Sequence, residues 1–521
     1  MRGQAAALLA ALIAIGPSAV AAEQGHAGHS PPGSPATTAA TDAGSVSTLS
    51  FENSGAPSAQ GPFLRGLGLL HNFEYPRAAE AFRQAQAADP GFAMAVWGEA
   101  MTFNHPIWME QDAAAGRAAL AKLGATREAR IARGRTDRER GLLEAVEILY
   151  GEGSKEDRDR AYSSHLAALA QRHPGDVDIQ SFYALSLLGL AHQGRDVRLY
   201  MRAAAQLEPL VPRHPDHPGV LHYLIHSYDD PVHAPLGLRA ARRYGDVAPD
   251  APHARHMTSH IFLALGMWDD VIEANRAADA EVDRLRAAAG RPPAQCGHYT
   301  EWLVYGLHQR ERHSEADALT AACLADATRP RTDSMRGDAA LSWAGMAIRG
   351  AIETGRPVTG SVGDAGGADA RFTLAYGDLL TAGADVARVR TARAQLAELD
   401  REIAAAAAAG PEPAYAPRRR AVVLTQAEAI EALRAGRTEE GLAALRRAAE
   451  AERTMPAEFG PPLVEKPSFE LLGEELLRLG RRSEAEAAFR AALELAPNRR
   501  LSVRGLGPHG QDSAVQSRPL P

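Results

Sequence analysis

The chain has 521 residues, of which 45% are hydrophobic and 23% charged, ordinary values for a globular protein. Its 57 Lys and Arg against 64 Asp and Glu give a formal net charge of −7, so no general attraction to nucleic acid or anionic membranes is expected. Two cysteines exclude a dense disulfide framework and any zinc module built on four thiolates. Aromatic residues are only 6% and alanine fills long stretches, which favours helices over sheets.

The chain begins with a segment that we interpret as an export signal. Arg2 precedes an apolar run over residues 5–15, and the small residues at 19–22 suit cleavage by a signal peptidase. This run is too short to span a bilayer, which takes about 20 residues. The sequence therefore predicts a signal peptide over 1–22 and a periplasmic or secreted protein with no membrane span. Residues 23–60, rich in Ala, Ser, Thr, Gly and Pro, are predicted to be a disordered leader.

An internal repeat organises the rest of the sequence. Two stretches share small residues, a phenylalanine and a proline at intervals of 12, 4, 3 and 5. They are Gly66, Ala78, Phe82, Ala85 and Pro90, and then Gly473, Ala485, Phe489, Ala492 and Pro497. Small residues allow two antiparallel helices to approach closely, the phenylalanine fills the space between neighbouring pairs, and proline ends the second helix. This pattern resembles the tetratricopeptide repeat (TPR), a helix-turn-helix unit.

The resemblance implies an all-α fold, a right-handed α-solenoid of TPR-like helical hairpins with a concave face. Residues 351–375 interrupt the helical pattern with many Gly and Pro. We therefore expect an N-terminal array over 61–350, a linker over 351–375, a C-terminal array over 376–500 and a disordered tail over 501–521. Phrases such as VWGEAMTFNHPIW (96–108) and HARHMTSHIFLALGMWDD (253–270) also resemble an exported bacterial TPR family, which implies architecture but no particular chemistry.

Histidines are concentrated in one part of the chain. Eight of the 19 lie within residues 214–260, where chance would place fewer than two. His222 and His226 are spaced i, i+4, so they share one face of a helix. His253, His256 and His260 have spacings of 3 and 4 and also share a face.

The resemblance further places these histidines within the repeat. Aligning Gly266 with Gly480 puts His253, His256 and His260 at the first-helix positions that line the concave surface of TPR solenoids. In the preceding repeat, His222 and His226 take matching positions, and Asp229 and Asp230 follow one turn further along the same face. The corresponding residues of the following repeat are His298, Glu301 and Tyr305. The resemblance therefore implies that three neighbouring helices present imidazoles and carboxylates to one groove.

Imidazoles at this spacing on adjacent helices can bind a transition-metal ion such as zinc, copper or iron, with carboxylates as ligands or as partners that fix the histidine tautomer. The candidate ligands are His222, His226, His253, His256, His260, His298, Asp229, Asp230 and Glu301. Three interpretations remain open: a metal site, a polar pocket for a peptide, protein or small-molecule ligand, and capped structural histidines. A metal with an open coordination position would make the protein an enzyme, with Tyr305 or Glu301 as acid or base. Without a metal, it would be a binding scaffold.

The two cysteines fall in one predicted repeat. Cys296 precedes its first helix and Cys323 lies in its second. Antiparallel pairing of these helices can bring the two together, and an oxidising compartment favours a disulfide. The alternative is that Cys296, close to His298, joins the metal ligands.

Overall fold

In a computed structural model, most of the described chain is helical. The structure describes residues 49–328, 339–363, 366–407, 415–456 and 458–507. These residues form 23 α-helices and one short antiparallel ladder of β1 (Asn104–His105) with β2 (Glu110–Gln111). The predicted signal peptide and most of the predicted leader lie outside the described residues. Among the helices described, none combines the length and apolarity needed to cross a membrane.

The helices follow one another with short connections. The first twelve are α1 (Pro57–His71), α2 (Tyr75–Ala88), α3 (Ala93–Met101), α4 (Ala113–Ala121), α5 (Arg127–Ile131), α6 (Asp137–Leu149), α7 (Lys155–Arg172), α8 (Val177–Leu188), α9 (Val197–Leu207), α10 (Pro218–Tyr228), α11 (Ala234–Val247) and α12 (Pro252–Ala264). The rest are α13 (Trp268–Ala288), α14 (His298–Gln309), α15 (His313–Ala327), α16 (Ala339–Thr354), α17 (Ala368–Leu380), α18 (Val386–Ala407), α19 (Ala416–Arg434), α20 (Thr438–Arg453), α21 (Ser468–Arg478), α22 (Arg482–Leu495) and α23 (Arg500–Leu506).

Consecutive helices pack together as hairpins, and the hairpins stack in chain order. Helix α12, for example, packs on α13 and α13 on α14. Helices α8, α10 and α12 also contact one another in sequence, as first helices of stacked hairpins do. The all-α solenoid of TPR-like hairpins predicted from the repeat is confirmed.

Glycine and phenylalanine hold neighbouring hairpins at close distance. A Cβ added to Gly66 would lie 2.9 Å from the Phe82 ring, and one added to Gly473 would lie 2.7 Å from the Phe489 ring. Each ring is also covered from the next helix, by Gly98 in α3 and by Gly505 in α23. Both phenylalanines are fully buried. The repeat pattern therefore has one member more than predicted, a second glycine 16 residues after each phenylalanine.

We expect Phe489→Ala to lower the free energy of unfolding by about 3–5 kcal/mol, because it leaves a cavity between two glycine-faced helices. Urea unfolding followed by circular dichroism measures the change. Leu495→Ala on the same helix is the control, since that side chain is 43% exposed and its loss is expected to cost less than about 0.5 kcal/mol. Equal losses for the two variants would contradict this packing role.

The folded part extends beyond the predicted array at both ends. Leu49 and Phe51 are buried, and the Phe51 ring packs 5.2 Å from that of Phe63 and 5.8 Å from that of Trp97. Helix α23 extends past residue 500 and packs on α21 and α22. Helix α16 ends at Thr354 and α17 begins at Ala368, so the connection between them is shorter than the predicted linker. The disordered leader was predicted from average composition, which does not show that a single aromatic residue such as Phe51 is buried in the fold.

The C-terminal hairpin returns to the middle of the N-terminal array. The indole N–H of Trp268 donates a hydrogen bond of 2.9 Å to the Asn498 carbonyl. Gly266 has a φ of +65°, and a Cβ there would lie 2.2 Å from the Pro497 carbonyl oxygen. This glycine is therefore required both by its backbone conformation and by the close approach of the returning chain.

A buried ion-pair network secures the returning chain. The Arg499 guanidinium is 1% exposed, donates two bonds of 2.9 Å to Glu470 and lies 3.1 Å from a Glu353 carboxylate oxygen. It also donates to the Tyr305 hydroxyl at 2.9 Å. Tyr305, predicted as a possible acid or base, is thus held in this network.

We expect Arg499→Met to lower the free energy of unfolding by about 3–5 kcal/mol, because two buried carboxylates each lose a charged partner. Arg490→Met, which removes an arginine whose side chain is 62% exposed, should have little effect in the same urea titration. A loss for Arg499→Met no larger than that of the control would contradict the role of the network.

The Glu470 carboxyl gives this prediction a pH dependence. Burial raises its pKa, but the charges of Arg499 and Lys466 outweigh burial and hold it below the ordinary value. Such a group stabilises the fold above the ordinary glutamate pKa, and the contribution is lost as the pH falls through the folded-state pKa. The difference in stability between wild type and Arg499→Met should therefore shrink below about pH 4.3. Urea titrations across this range check it, and a difference that stays constant would contradict it.

Candidate functional site

Six histidines from three successive first helices lie side by side. His222 and His226 belong to α10, while His298 is the first residue of α14. His253, His256 and His260 belong to α12 between them. Five of the six are buried and His298 is half-buried. The structure thus brings together all the histidines that the sequence singles out as ligands.

Proline sets where the histidine-bearing helices begin. Pro218 and Pro252 are the first residues of α10 and α12, where a missing backbone N–H costs nothing and a fixed φ suits the helix. The His217 side chain caps α10 by accepting from the Val220 backbone N–H at 3.3 Å. With the starts defined, the i, i+3 and i, i+4 spacings direct the imidazoles of each helix to one side.

The imidazoles divide into two groups of three. The first triad is His222, His226 and His253, and the second triad is His256, His260 and His298. Within each triad, one nitrogen from every residue lies within 4.8 Å of the others. The His222 and His253 Nε2 atoms are 3.1 Å apart, and His256 Nε2 lies 3.1 Å from His260 Nε2 and 2.9 Å from His298 Nε2. Nitrogens on one tetrahedral zinc ion are about 3.3 Å apart, so these spacings suit a shared ion.

Hydrogen bonds fix the tautomers of two histidines in the second triad. The Asn275 amide donates to the Val271 carbonyl at 2.8 Å, so its oxygen faces His256 Nδ1, at 2.7 Å. His256 therefore carries its proton on Nδ1. His260 Nδ1 lies 3.0 Å from an Asp229 carboxylate oxygen and must donate to it. In their neutral forms, both residues consequently present Nε2 lone pairs to each other, and a cation between them would remove the repulsion.

Burial favours the neutral form of two of these imidazoles, His260 and His222. It lowers the pKa of His260 in spite of the neighbouring Asp229 carboxylate, and it holds the pKa of His222 well below the ordinary value. Asp229 is ionised, because the Arg195 guanidinium and the neighbouring histidines outweigh its burial and lower its pKa. His222 and His260 therefore offer neutral imidazole, the form in which histidine binds metals.

The first triad has a comparable arrangement. His222 Nδ1 donates to the His71 backbone carbonyl at 2.7 Å, so its Nε2 lone pair faces His253. His226 Nε2 is buried and has no hydrogen-bond partner among the described residues. A buried polar atom of this kind needs a partner, and a metal ion is one that an imidazole nitrogen accepts.

One carboxylate connects the two triads. Asp229 Oδ2 lies 3.0 Å from His260 Nδ1 and 3.7 Å from His226 Nδ1, while its other oxygen accepts from Arg195. Such carboxylate partners orient metal-binding imidazoles and increase their basicity. Sequence reasoning identified Asp229 but missed Arg195, which lies 34 residues before Asp229 in the chain and has no spacing signal.

Two of the predicted acidic ligands lie away from the triads. Asp230 pairs with Arg195 at 2.9 Å and with His233 at 2.8 Å, and it accepts from backbone N–H groups where α11 begins. Glu301 faces Ser342 and the Arg349 charge on α16, and burial raises its pKa. Neither belongs to a group of converging ligand atoms. Positions one turn from a histidine point partly toward the neighbouring helix, and these two side chains find partners there.

Aromatic rings cover the second triad. The Trp302 ring lies 4.6 Å from those of His256 and His260, and the Phe459 ring lies 5.2 Å from that of His260. Gly460 follows with a φ of +108°, and a Cβ there would lie 2.7 Å from the Trp302 indole. Neither ring was predicted at the site, and Phe459 reaches it from the C-terminal part of the chain.

A third group of converging residues has a different hydrogen-bond pattern. His71 Nε2 and His217 Nε2 lie 3.0 and 3.3 Å from the same Asp178 oxygen, so both donate to it. His71 Nδ1 accepts from the Tyr223 hydroxyl at 3.0 Å, and His217 Nδ1 caps α10. All four ring nitrogens are used, which makes this group a structural network.

Cys296 and Cys323 form a disulfide with an S–S distance of 2.04 Å. The predicted pairing is confirmed, and the alternative of a Cys296 thiolate ligand is wrong.

We expect Cys296→Ser with Cys323→Ser to lower the free energy of unfolding by about 3.5 kcal/mol through the lost loop constraint. Urea unfolding measures this, and added reductant should reproduce the loss in wild type but leave the double variant unchanged.

Comparisons with known proteins were made for the whole chain. No family model matches it, and no curated protein does. The crystal structure of the P58(IPK) TPR domain is 14% identical, with 88% of this chain and 99% of that chain covered and a TM-score of 0.23. The APC/C hetero-tetramer Cut9-Hcn1 is 13% identical, with 88% and 77% covered and a TM-score of 0.32. Because both scores are below 0.5, the fold described above rests on this chain's own helices.

Proposed function

We propose that this protein is an exported TPR-like solenoid that binds a transition-metal ion, zinc, copper or iron, through the second triad. The observation that carries the proposal is the pair of Nε2 atoms of His256 and His260, 3.1 Å apart, on imidazoles whose Nδ1 protons are held by acceptors. A metal ion removes the repulsion between two lone pairs and uses both.

The donor set supports this assignment. Three imidazole nitrogens on two helices suit zinc, copper or iron and leave a fourth coordination position for water or a ligand. Asn275 and Asp229 supply the outer hydrogen bonds that metal-binding histidines require. Trp302 and Phe459 exclude water from one side, whereas the half-buried His298 leaves the other side accessible.

A bound ion would supply Lewis acidity or an activated water, and the residues of the chain would control access to it. Asn275 and Asp229 orient the imidazoles of His256 and His260. The aromatic cover restricts the open side to ligands that enter past His298. The exported solenoid is therefore proposed as a metal-binding scaffold whose open position accepts a small ligand or a partner side chain.

Metal analysis of the purified full chain tests the proposal. After incubation with zinc, copper or iron and removal of free metal, we expect wild type to retain at least one ion per chain. His256→Gln with His260→Gln should lose the ion of the second triad, while His214→Gln, in the loop before α10, should not. Far-UV circular dichroism confirms that each variant is folded. A folded wild type that retains none of the three metals would overturn the proposal and leave a binding scaffold without a metal.

Asn275 provides a second test, because it orients His256 without belonging to the triad. Asn275→Leu should weaken metal binding by about 10- to 100-fold, since the Nδ1 proton of His256 loses its acceptor. Asn275→Asp keeps an acceptor in place and should restore most of the affinity. Competition with a chromogenic chelator measures both constants, and equal losses in the two variants would indicate only a structural role for Asn275.

A further inference from the structure

We infer that the first triad binds a second metal ion beside the first, so that the solenoid holds a two-ion centre with six imidazole ligands. This inference rests on the proposed function, and it assigns a metal ion to three histidines that the proposed site does not use. The two triads are adjacent: the His226 and His260 rings are 5.7 Å apart and the His253 and His256 rings 6.4 Å.

The first triad has the features of a site in its own right. Its His222 Nε2 lone pair is directed at His253 by the bond from Nδ1 to the His71 carbonyl. Its His226 Nε2 is buried and unpartnered among the described residues. All three side chains are buried, so water cannot satisfy these nitrogens as it does at a surface.

The carboxylate of Asp229 makes the two triads one unit. It accepts from His260 of the second triad and lies 3.7 Å from Nδ1 of His226 in the first. Arg195 holds this carboxylate in place from the other side. A change at Asp229 therefore alters the orientation of one imidazole in each triad.

The ligand chemistry points to copper for the pair. All six inward-facing donors are imidazole nitrogens, and Asp229, bound to imidazole N–H and to Arg195, does not bridge the ions as the carboxylates of magnesium or manganese sites do. Among divalent first-row metals, Cu²⁺ binds nitrogen donors most tightly. Two Cu²⁺ ions in adjacent triads, each with a free position, would together bind a small two-atom anion such as peroxide.

Copper titration of the full chain, followed by metal analysis, tests the second site. Wild type should retain two Cu²⁺ per chain. His222→Gln with His253→Gln should retain one, His256→Gln with His260→Gln should also retain one, and the four-fold variant none. One ion in wild type that only the second-triad variant loses would overturn the two-ion centre and leave the proposed function standing. No copper in wild type would overturn the two-ion copper centre, and the incubations with zinc and iron would then decide the proposed function separately. One ion lost equally in either double variant would overturn the two-ion centre and show a single shared ion.

Electron paramagnetic resonance provides a readout of proximity that does not depend on stoichiometry. The single-triad variants should give the full signal of one isolated Cu²⁺ per chain. Wild type with two Cu²⁺ should give a broadened or weakened signal, because the neighbouring spins interact. Two full, unperturbed signals would place the ions apart and overturn the centre.

Two buried carboxylates, Asp229 and Asp178, each lie beside two histidines and offer a matched comparison. Asp229→Asn should weaken binding of both copper ions by about 10- to 100-fold, because an amide has one accepting oxygen and cannot accept from both Arg195 and His260. Asp178→Asn makes the same change in the structural network and should leave two ions bound. A loss of copper confined to Asp178→Asn, or shared equally by both variants in folded protein, would contradict the coupling through Asp229.

Discussion

The position of one proton on each buried imidazole is the constraint on which the candidate site depends. A neutral imidazole has one N–H, and here an amide oxygen, a carboxylate and a backbone carbonyl hold it on Nδ1 of His256, His260 and His222. None of these acceptors donates a proton in return, so the Nε2 lone pairs must face inward. The Nε2 lone pairs of His256 and His260 are 3.1 Å apart in a buried space, and a cation between them would remove their repulsion.

The residues that impose this constraint come from different helices of the stacked hairpins. First helices carry the imidazoles, α13 carries Asn275, and the residue after α10 is Asp229. The returning C-terminal chain then places Phe459 over the rings, and the Arg499 network secures that return. The geometry of the site and the stability of the C-terminal hairpin are therefore linked, although they lie more than 150 residues apart in the chain.

The chain also shows that buried histidines do not by themselves make a metal site. His71 and His217 are as buried as the triads, yet both direct Nε2–H at Asp178 and use every ring nitrogen. In the triads, the hydrogen bonds to Asn275, Asp229 and the His71 carbonyl use Nδ1, which leaves Nε2 for an ion. That difference depends on hydrogen-bond partners, and neither the number of histidines nor their burial reveals it.

The sequence by itself determined the helical hairpins, the face of each helix that carries histidine and the pairing of Cys296 with Cys323. Each follows from periodicity or local order, such as the intervals from Gly66 to Pro90, which are properties of one hairpin. Only the tertiary structure decided that six histidines divide into two triads, that Asp230 and Glu301 turn away, and that Arg195, Asn275 and Phe459 complete the site. Helical periodicity specifies on which side of its own helix a side chain lies. Which atom that side chain contacts depends on how the neighbouring helices are offset and on where distant segments of the chain return.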